Sequence, residues 1–349
     1  MEPLDDAKFS GTKEVAEHLT IEVSNLQPWI DEFVPGAGKI KSVEQFKGGQ
    51  SNPTYKIVTE SKNLVLRRKP PGKLLPSAHA VDREYKVITA LYETDVPVPK
   101  TYGLCEDDEV AGTAFFVMDF LDGDLFWNPM IPSLSNKDRT EIYQNKNKTL
   151  ALLHGVDYKK IGLEDYGKPG NYVARQVARW SKQYRASETD DIEAMNNLID
   201  WLPKNIPDDD ETSIVHGDYR LDNMILKNNQ VMGILDWELS TLGHPIADFS
   251  YHCLSWRTQE AFWDQAKLKE LGVPSEKEYM DMYCENTGKD LSKNWEFYMA
   301  FNMFKIAGIL QGILGRVRDG TASSKHAEDR GMMVYPLSEA AWNTIKENF

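Results

Sequence analysis

The stretch Ile214-Val215-His216-Gly217-Asp218-Tyr219-Arg220-Leu221-Asp222-Asn223 is followed by Met224-Ile225-Leu226 and then by Val231-Met232-Gly233-Ile234-Leu235-Asp236-Trp237-Glu238. This pattern predicts an apolar strand, a polar loop, two further strands joined by a turn, and an acidic loop. The arrangement puts Asp218, Asn223 and Asp236 at strand ends, where their side chains can converge. The alternative is an ordinary turn in which Asp218 and Asn223 make local hydrogen bonds. We expect His216 to brace the loop through hydrogen bonds of its ring, with a catalytic role as the alternative.

These residue types match the requirements of phosphoryl transfer. A carboxylate must accept or orient the proton of the acceptor hydroxyl, oxygen ligands must hold Mg²⁺ on the phosphates, and a cation must position them. Mg²⁺ prefers hard oxygen ligands, which an amide oxygen and a carboxylate provide. The loop and the following hairpin therefore supply the carboxylate and the metal ligands.

The rest of the chain divides into a β-rich part and a helical part. After a helical segment at 14–33, short β-branched or aromatic runs at 42–47, 53–59, 63–68, 100–105 and 113–120 predict a five-stranded antiparallel sheet, with one helix inserted at 78–92. Beyond residue 121 the apolar spacing becomes helical, with helices at 135–154, 171–186 and 190–202. We therefore predict two units, residues 1–120 and 121–349.

Composition excludes several classes of protein. The 349 residues carry 40 Lys+Arg and 54 Asp+Glu, a net charge of −14, which argues against a general nucleic-acid binder. Three separated cysteines fit a reducing compartment, and the acidic N-terminus has no apolar core of a secretory signal, so we expect a cytoplasmic location. The most apolar segment, 295–314, is interrupted by polar residues and is predicted as a buried helix, not a membrane span.

The combined motifs resemble the aminoglycoside phosphotransferase/choline kinase-like family. The family loop is similar to His216-Gly217-Asp218 with Asn223, followed by Asp236-Trp237-Glu238. The segments 46–55, 66–79, 171–176 and 312–317 are most similar to the phosphotransferase domain associated with acyl-CoA dehydrogenases. The resemblance covers nearly the whole chain. It implies an α+β, bilobal protein-kinase-like fold, with a small antiparallel β lobe for the nucleotide and a larger, mainly helical lobe with the catalytic loop and acceptor site.

The resemblance also assigns roles to individual residues. Asp218 is expected to be the catalytic carboxylate, and Asn223 and Asp236 are expected to bind Mg²⁺. Glu238 would either reach a second ion or a metal-bound water, or lie exposed as a capping residue. ATP is the implied phosphate donor, and a small-molecule hydroxyl is the implied acceptor.

The resemblance also implies that the nucleotide-binding residues lie in the β-rich part, with a phosphate-covering hairpin, a basic strand residue paired with a helix carboxylate, and a connector that meets the adenine. A Gly-rich hairpin, whose backbone N–H groups can approach phosphate, is expected to contribute Gly48, Gly49, Ser51 and Asn52. Arg67 and Arg68 both occupy the third strand, and since successive strand residues face opposite sides, only one can point inward. We favour Arg67, because it shares a face with Val65, and expect it to pair with Glu84. Backbone groups near Asp119 and Leu121 are expected to meet the adenine.

The sequence says less about the chemical identity of the phosphate acceptor than about the nucleotide site. The resemblance suggests a hydroxyacyl-CoA or hydroxy acid and a functional link to an acyl-CoA dehydrogenase. Such an anionic acceptor calls for cations, and the candidates are Arg175, in a helical face with Arg179 and Lys182, and Arg316. A solvated helix face is the alternative. Two other functions stay open: an aminoglycoside-type antibiotic kinase, and a nucleotide-binding pseudokinase that acts as a regulator. No nucleic-acid or membrane partner is expected.

Overall fold

The structure, a computed structural model, describes residues 10–48, 52–72, 79–259, 262–322, 324 and 326–349. The N-terminal part contains one six-stranded sheet. Its strands are β1 (Thr12–Lys13), β2 (Ile40–Phe46), β3 (Thr54–Thr59), β4 (Asn63–Arg68), β5 (Thr101–Cys105) and β6 (Phe115–Asp119). The spatial order is β1-β2-β3-β4-β6-β5, and all neighbouring strands are antiparallel.

Helices cover both faces of this sheet. Helix α1 (Val23–Phe33) lies on one face with the short α3 (Asp108–Ala111), and α2 (Val81–Leu91) lies on the other. The side chains of β4 alternate accordingly, because successive strand residues point to opposite faces. Leu64 and Leu66 pack toward α1, and Val65 packs toward α2. This alternation gives Arg67 and Arg68 different surroundings.

The C-terminal part is mainly helical. Its helices are α4 (Asn136–Gly155), α5 (Tyr172–Ser187), α6 (Glu193–Trp201), α7 (Pro245–Cys253), α8 (Ser255–Thr258), α9 (Gln265–Leu271), α10 (Glu276–Thr287), α11 (Trp295–Arg318), α12 (Ala327–Met332) and α13 (Val334–Asn348). Helix α11 is central and contacts α5, α7, α12 and α13. It is the one helix among the described residues with the length and apolarity to cross a membrane, and 67% of its most apolar window is buried inside the protein. The predicted buried helix at 295–314 is thus confirmed.

Two small antiparallel pairs carry the acidic loops. Strand β7 (Ser213–Val215) pairs with β10 (Thr241–Gly243), and β8 (Met224–Lys227) forms a hairpin with β9 (Gln230–Ile234). The hairpin turns at Asn228 and Asn229, which both have positive φ (51° and 62°), the conformation that tight hairpin turns require. Because β8 and β9 are antiparallel, the start of β8 lies beside the end of β9. The loop that leads into β8 and the loop that follows β9 are therefore neighbours.

Two details of the sequence prediction need correction. The single helix expected over 14–33 is a short 3₁₀ turn at Glu17–Leu19 followed by α1. The sheet has six strands and not five, because β1 (Thr12–Lys13) adds to its edge. Strand β6 ends at Asp119, next to the predicted boundary between 1–120 and 121–349, which stays a prediction.

Candidate active site

One buried carboxylate, that of Asp248, fixes the backbone of the loop after β7. Asp248 on α7 accepts hydrogen bonds from the backbone N–H groups of His216 and Gly217, both 2.9 Å, and its Oδ2 lies 3.2 Å from Nε2 of His154. Burial raises the pKa of Asp248, but the hydrogen bond and charge of His154 and the charge of His216 outweigh it, so the pKa lies below its usual value. The loop backbone is thus fixed to α4 and α7.

Two residues of the loop meet special backbone requirements. Gly217 has φ of +83°, and a Cβ at this position would lie 2.8 Å from the backbone oxygen of Leu239, so only glycine fits. The ring of His216 is fully buried; its Nδ1 accepts from the Asp218 N–H at 3.2 Å, and its Nε2 lies 2.9 Å from the Leu235 carbonyl oxygen. The bracing role predicted for His216 is confirmed.

Asp218 and Asn223 converge at the end of the loop. The Asn223 amide donates to the backbone oxygen of Asp218 (2.9 Å) and to its carboxylate Oδ2 (3.1 Å). The other carboxylate oxygen of Asp218 lies 3.5 Å from Nε of Arg220. Within the described part of the chain, Oδ1 of Asn223 accepts no hydrogen bond, which leaves it available as a ligand.

Asp236 lies beside Asn223, because the Leu235 N–H donates to the Asn223 carbonyl at 2.8 Å. Its backbone is left-handed, with φ 63° and ψ 63°, a conformation that side chains other than Gly, Asn and Asp rarely adopt. No group of three or more His, Cys, Asp or Glu residues that could hold a metal occurs among the described residues. The oxygen donors here are instead the Asn223 amide and the Asp236 carboxylate, a pair that fits Mg²⁺.

Arg67 joins Asp236 to the sheet. Its Nε lies 2.7 Å from Oε2 of Glu84 on α2, its Nη2 lies 2.6 Å from Oδ1 of Asp236, and Glu238 is 4.0 Å away. Burial alone would lower the pKa of Arg67, but the charges of Glu84 and Asp236 raise it above its usual value. Burial raises the pKa of the Glu84 carboxyl to about 7 against the opposing charge of Arg67. Arg68 faces the other way, donating to the hydroxyl of Tyr55 at 2.8 Å.

The predicted phosphate hairpin is only partly described. Gly48 follows β2, whereas Gly49 and Ser51 lie outside the described residues. Asn52 is fully buried; its amide donates to Oε1 of Glu84 at 2.8 Å, and its Oδ1 lies 3.0 Å from Nδ1 of His79. Asn52 therefore orients Glu84, a role that sequence reasoning missed. Its contact with phosphate stays a prediction.

Several other predicted site residues make contacts within the protein that limit the roles open to them. The Asp119 N–H donates to the Lys100 carbonyl at 2.8 Å within the sheet, and its carboxylate accepts from the Tyr102 hydroxyl at 2.7 Å. Leu121 packs over Gly233 of β9. The Arg175 guanidinium donates to the backbone oxygens of residues 168 and 170. These hydrogen bonds tie Arg175, which lies on α5, to the segment that precedes this helix. Arg316 is exposed, and the role of either residue as an acceptor cation stays a prediction.

Comparison with known proteins identifies the class. The model of the phosphotransferase enzyme family matches residues 42–283, more than half of the chain. A Ralstonia eutropha protein of known structure, provisionally described as an aminoglycoside phosphotransferase, is 48% identical, with a TM-score of 0.87 over 95% of this chain and 100% of that one. The chain belongs to this phosphotransferase family, and the expected bilobal protein-kinase-like fold is confirmed.

The curated relatives are longer proteins. Mouse acyl-CoA dehydrogenase family member 10 is 45% identical over 87% of this chain and 29% of its own length. Human acyl-CoA dehydrogenase family member 11 is 38% identical over 97% of this chain and 45% of its own length. This chain therefore spans less than half the length of either relative. An aminoglycoside phosphotransferase in complex with ADP and hygromycin B, only 11% identical with a TM-score of 0.61 over 91% of this chain and 98% of that one, shares the fold.

The anchoring of the loop by Asp248 leads to a first prediction. In Asp248→Asn, the amide nitrogen cannot accept, so one of the two backbone N–H groups loses its partner; an unpaired buried donor costs about 1–3 kcal/mol. We expect a free energy of unfolding lower by that amount and slower turnover, with nearly unchanged nucleotide affinity. Urea unfolding and nucleotide titration measure these quantities. The control is Asp281→Asn on α10, where the side chain is 48% exposed and pairs with Lys277. Equal stability of Asp248→Asn and Asp281→Asn would show that the anchor contributes nothing.

Proposed function

We propose that the protein is an ATP- and Mg²⁺-dependent kinase that phosphorylates a hydroxyl group of a small molecule, either a hydroxyacyl-CoA or a hydroxy acid. The observation that supports this most directly is the convergence of Asp218 and Asn223 with the cluster of Asp236, Arg67 and Glu84. Arg67 and Glu84 come from the N-terminal part, and Asp218, Asn223 and Asp236 come from the loops around the β8–β9 hairpin. The ion pair between Arg67 and Asp236 joins the two sets, and the hydrogen bond from the Leu235 N–H to the Asn223 carbonyl keeps Asp236 beside Asn223. This is the set of parts that phosphoryl transfer needs.

Each residue of the cluster has a distinct task in this proposal. Asp218, its carboxylate oriented by Asn223, accepts the proton of the acceptor hydroxyl as its oxygen bonds to the γ-phosphorus and the bond to the ADP oxygen breaks. Arg67, oriented by Glu84, holds the phosphates with its planar guanidinium. Asn223 and Asp236 would hold the Mg²⁺, which offsets the negative charge of the phosphates when bound.

The adenine would lie beside the connection between the lobes. Because the Asp119 N–H is used within the sheet, the backbone groups that follow it, at Phe120 and Leu121, are the ones left to meet the base. The distant relative with ADP bound supports a nucleotide in this fold. The names of the two relatives support an acyl-CoA-linked acceptor, and a cytoplasmic location remains part of the proposal.

An acceptor screen tests the proposal. ADP release with ATP and Mg²⁺ is measured for hydroxy acids, their CoA thioesters and aminoglycosides, and the phosphorylated products are identified by mass spectrometry. We expect phosphorylation of the hydroxyacyl compounds. Transfer to aminoglycosides alone would replace the proposed acceptor class, and nucleotide binding without any transfer would favour a regulatory pseudokinase.

A further inference from the structure

Helix α2 contacts both parts of the protein through two neighbouring residues. Glu84 points toward the sheet, where it lies 2.7 Å from Arg67 of β4 and accepts a hydrogen bond from Asn52 at 2.8 Å. Arg83 precedes it, and since successive residues of a helix are rotated by about 100°, the two side chains leave the helix in different directions. The guanidinium of Arg83 reaches backbone carbonyl groups of the C-terminal part.

The groups that hold Arg83 are buried. Its Nη2 donates to the carbonyl oxygen of Tyr166 at 2.8 Å and to that of Ser240 at 3.4 Å. The guanidinium also lies over the ring of Tyr166, with its Cζ 4.5 Å from the ring centroid, a favourable place for a cation. Tyr166 is 1% exposed and Ser240 is 3% exposed. Arg83 is therefore docked on the packed interior of the C-terminal part.

These acceptor groups are connected to the strand that leads into the catalytic loop. The Ser240 hydroxyl donates at 2.8 Å to the carbonyl of Val215, the last residue of β7. Gly167, the residue after Tyr166, packs so closely on β10 that a Cβ would lie 2.6 Å from a backbone nitrogen of that strand. Strand β10 pairs with β7. Arg83 thus connects α2 with the segments that support the loop of Asp218.

A second contact between α2 and this region is exposed. Lys86, three residues after Arg83, has its Nζ 2.6 Å from Oδ1 of Asp165, the neighbour of Tyr166. The two side chains are 41% and 71% exposed, and exposed ion pairs contribute little to stability. Lys86 is therefore a matched control for Arg83, because it has the same charge and lies on the same helix but lacks the buried acceptors.

We propose that Arg83 is a positioning residue for phosphate binding. By docking α2 on the segments that support the catalytic loop, it sets where Glu84 holds the guanidinium of Arg67. The inference rests on the proposed function, in which Arg67 holds the phosphates and Asp218 accepts the proton. The ion pair between Arg67 and Asp236 also joins the two parts, but a bound phosphate would compete for it. The contacts of Arg83 involve only backbone carbonyl groups and a ring, so a nucleotide at Arg67 leaves them in place.

Nucleotide affinity is the first readout, since it needs no acceptor. The Kd of Mg·ATP is measured by calorimetry for the native chain, Arg83→Met, Arg83→Lys and Lys86→Met, and urea unfolding of each variant checks its stability. Arg83→Met keeps a long apolar side chain but has neither charge nor donor, so we expect its Kd to rise several-fold. Arg83→Lys keeps the charge and can reach one carbonyl, so its Kd should be intermediate. Lys86→Met should bind as the native chain does.

A second background separates positioning from a general structural role. Misplacement of a reacting group by about 1 Å can cost roughly 100-fold in rate, so we expect Arg83→Met to lower kcat by about 10–100-fold. The KM of the acceptor should stay near its native value. If Arg83 acts through Glu84, adding Arg83→Met to Glu84→Gln should change Kd and kcat little further, because residues of one network are not additive.

Three outcomes decide the assignment. Native nucleotide affinity in Arg83→Met, or an equal loss in Lys86→Met, would overturn it. A loss of the same size in the native and the Glu84→Gln backgrounds would also overturn it, because Arg83 would then act independently of Glu84. The expected affinities without phosphorylation of any hydroxyl compound would support the role of Arg83 and overturn only the proposed function.

Discussion

Asp218→Asn is expected to lower kcat by roughly 10²–10⁴-fold, the range associated with loss of a general base. The variant keeps the size of the side chain, and its amide oxygen can still accept the hydrogen bond that Nδ2 of Asn223 now donates to the carboxylate at 3.1 Å. The loop should therefore fold as before, and only the ability to take up a proton is lost. Single-turnover kinetics with saturating Mg·ATP measure the effect.

The affinity for Mg·ATP separates this prediction from a general loss of structure. We expect the Kd of the nucleotide to change little in Asp218→Asn. Asp222→Asn is a matched control, because Asp222 lies in the same loop but pairs with Arg220 at 2.7 Å. Near-native turnover in Asp218→Asn, or an equal loss in Asp222→Asn, would remove Asp218 from the role of base.

Asp236→Asn is expected to have the second large effect, a weaker dependence of nucleotide binding on Mg²⁺ and a steep loss of turnover. Asparagine is the informative substitution, because it tolerates the left-handed backbone at this position (φ 63°), whereas alanine would add strain. Substitution of a residue that only hydrogen-bonds to a metal ligand weakens metal affinity roughly 10–100-fold. Loss of the charge of a ligand itself should weaken it by more. Titration of Mg²⁺ at fixed ATP measures the shift.

A contribution through Arg67 must be separated from metal binding. Asp236→Asn also removes a carboxylate 2.6 Å from the Arg67 guanidinium, so nucleotide binding in EDTA serves as the reference. If Asp236 is a metal ligand, the native protein and the variant differ in Mg²⁺ and converge in EDTA. The same difference under both conditions would assign the effect to Arg67 and contradict the ligand role.

The sequence was sufficient to predict those parts of the site that depend on residues close together in the chain. The alternation of side chains along a strand separated Arg67 from Arg68, and the strand-loop-strand spacing brought Asp218, Asn223 and Asp236 together. Helix boundaries near 81–91, 136–155 and 172–187 followed from apolar periodicity. These features depend on residues close in the chain.

The remainder depends on contacts between distant segments. Asn52 orients Glu84, 32 residues away, and His154 meets Asp248, 94 residues away. Apolar periodicity cannot predict pairs of residues so far apart in the chain. The only signal in the sequence is an isolated His or Asn among apolar residues. Arg175 shows the converse: its helical spacing with Arg179 suggested a ligand face, whereas in the structure its guanidinium donates to backbone carbonyl groups just before α5.

The ion pair between Arg67 and Asp236 has a consequence for how the two lobes communicate. Arg67 belongs to β4 and Asp236 to the loop after β9, so the ion pair connects the sheet with the C-terminal part and each charge is a counterion of the other. A phosphate that took the place of Asp236 beside Arg67 would leave the Asp236 charge without compensation unless a divalent cation bound there, whereas Arg67 keeps Glu84 as a partner in either case. Nucleotide should therefore bind less well without the metal.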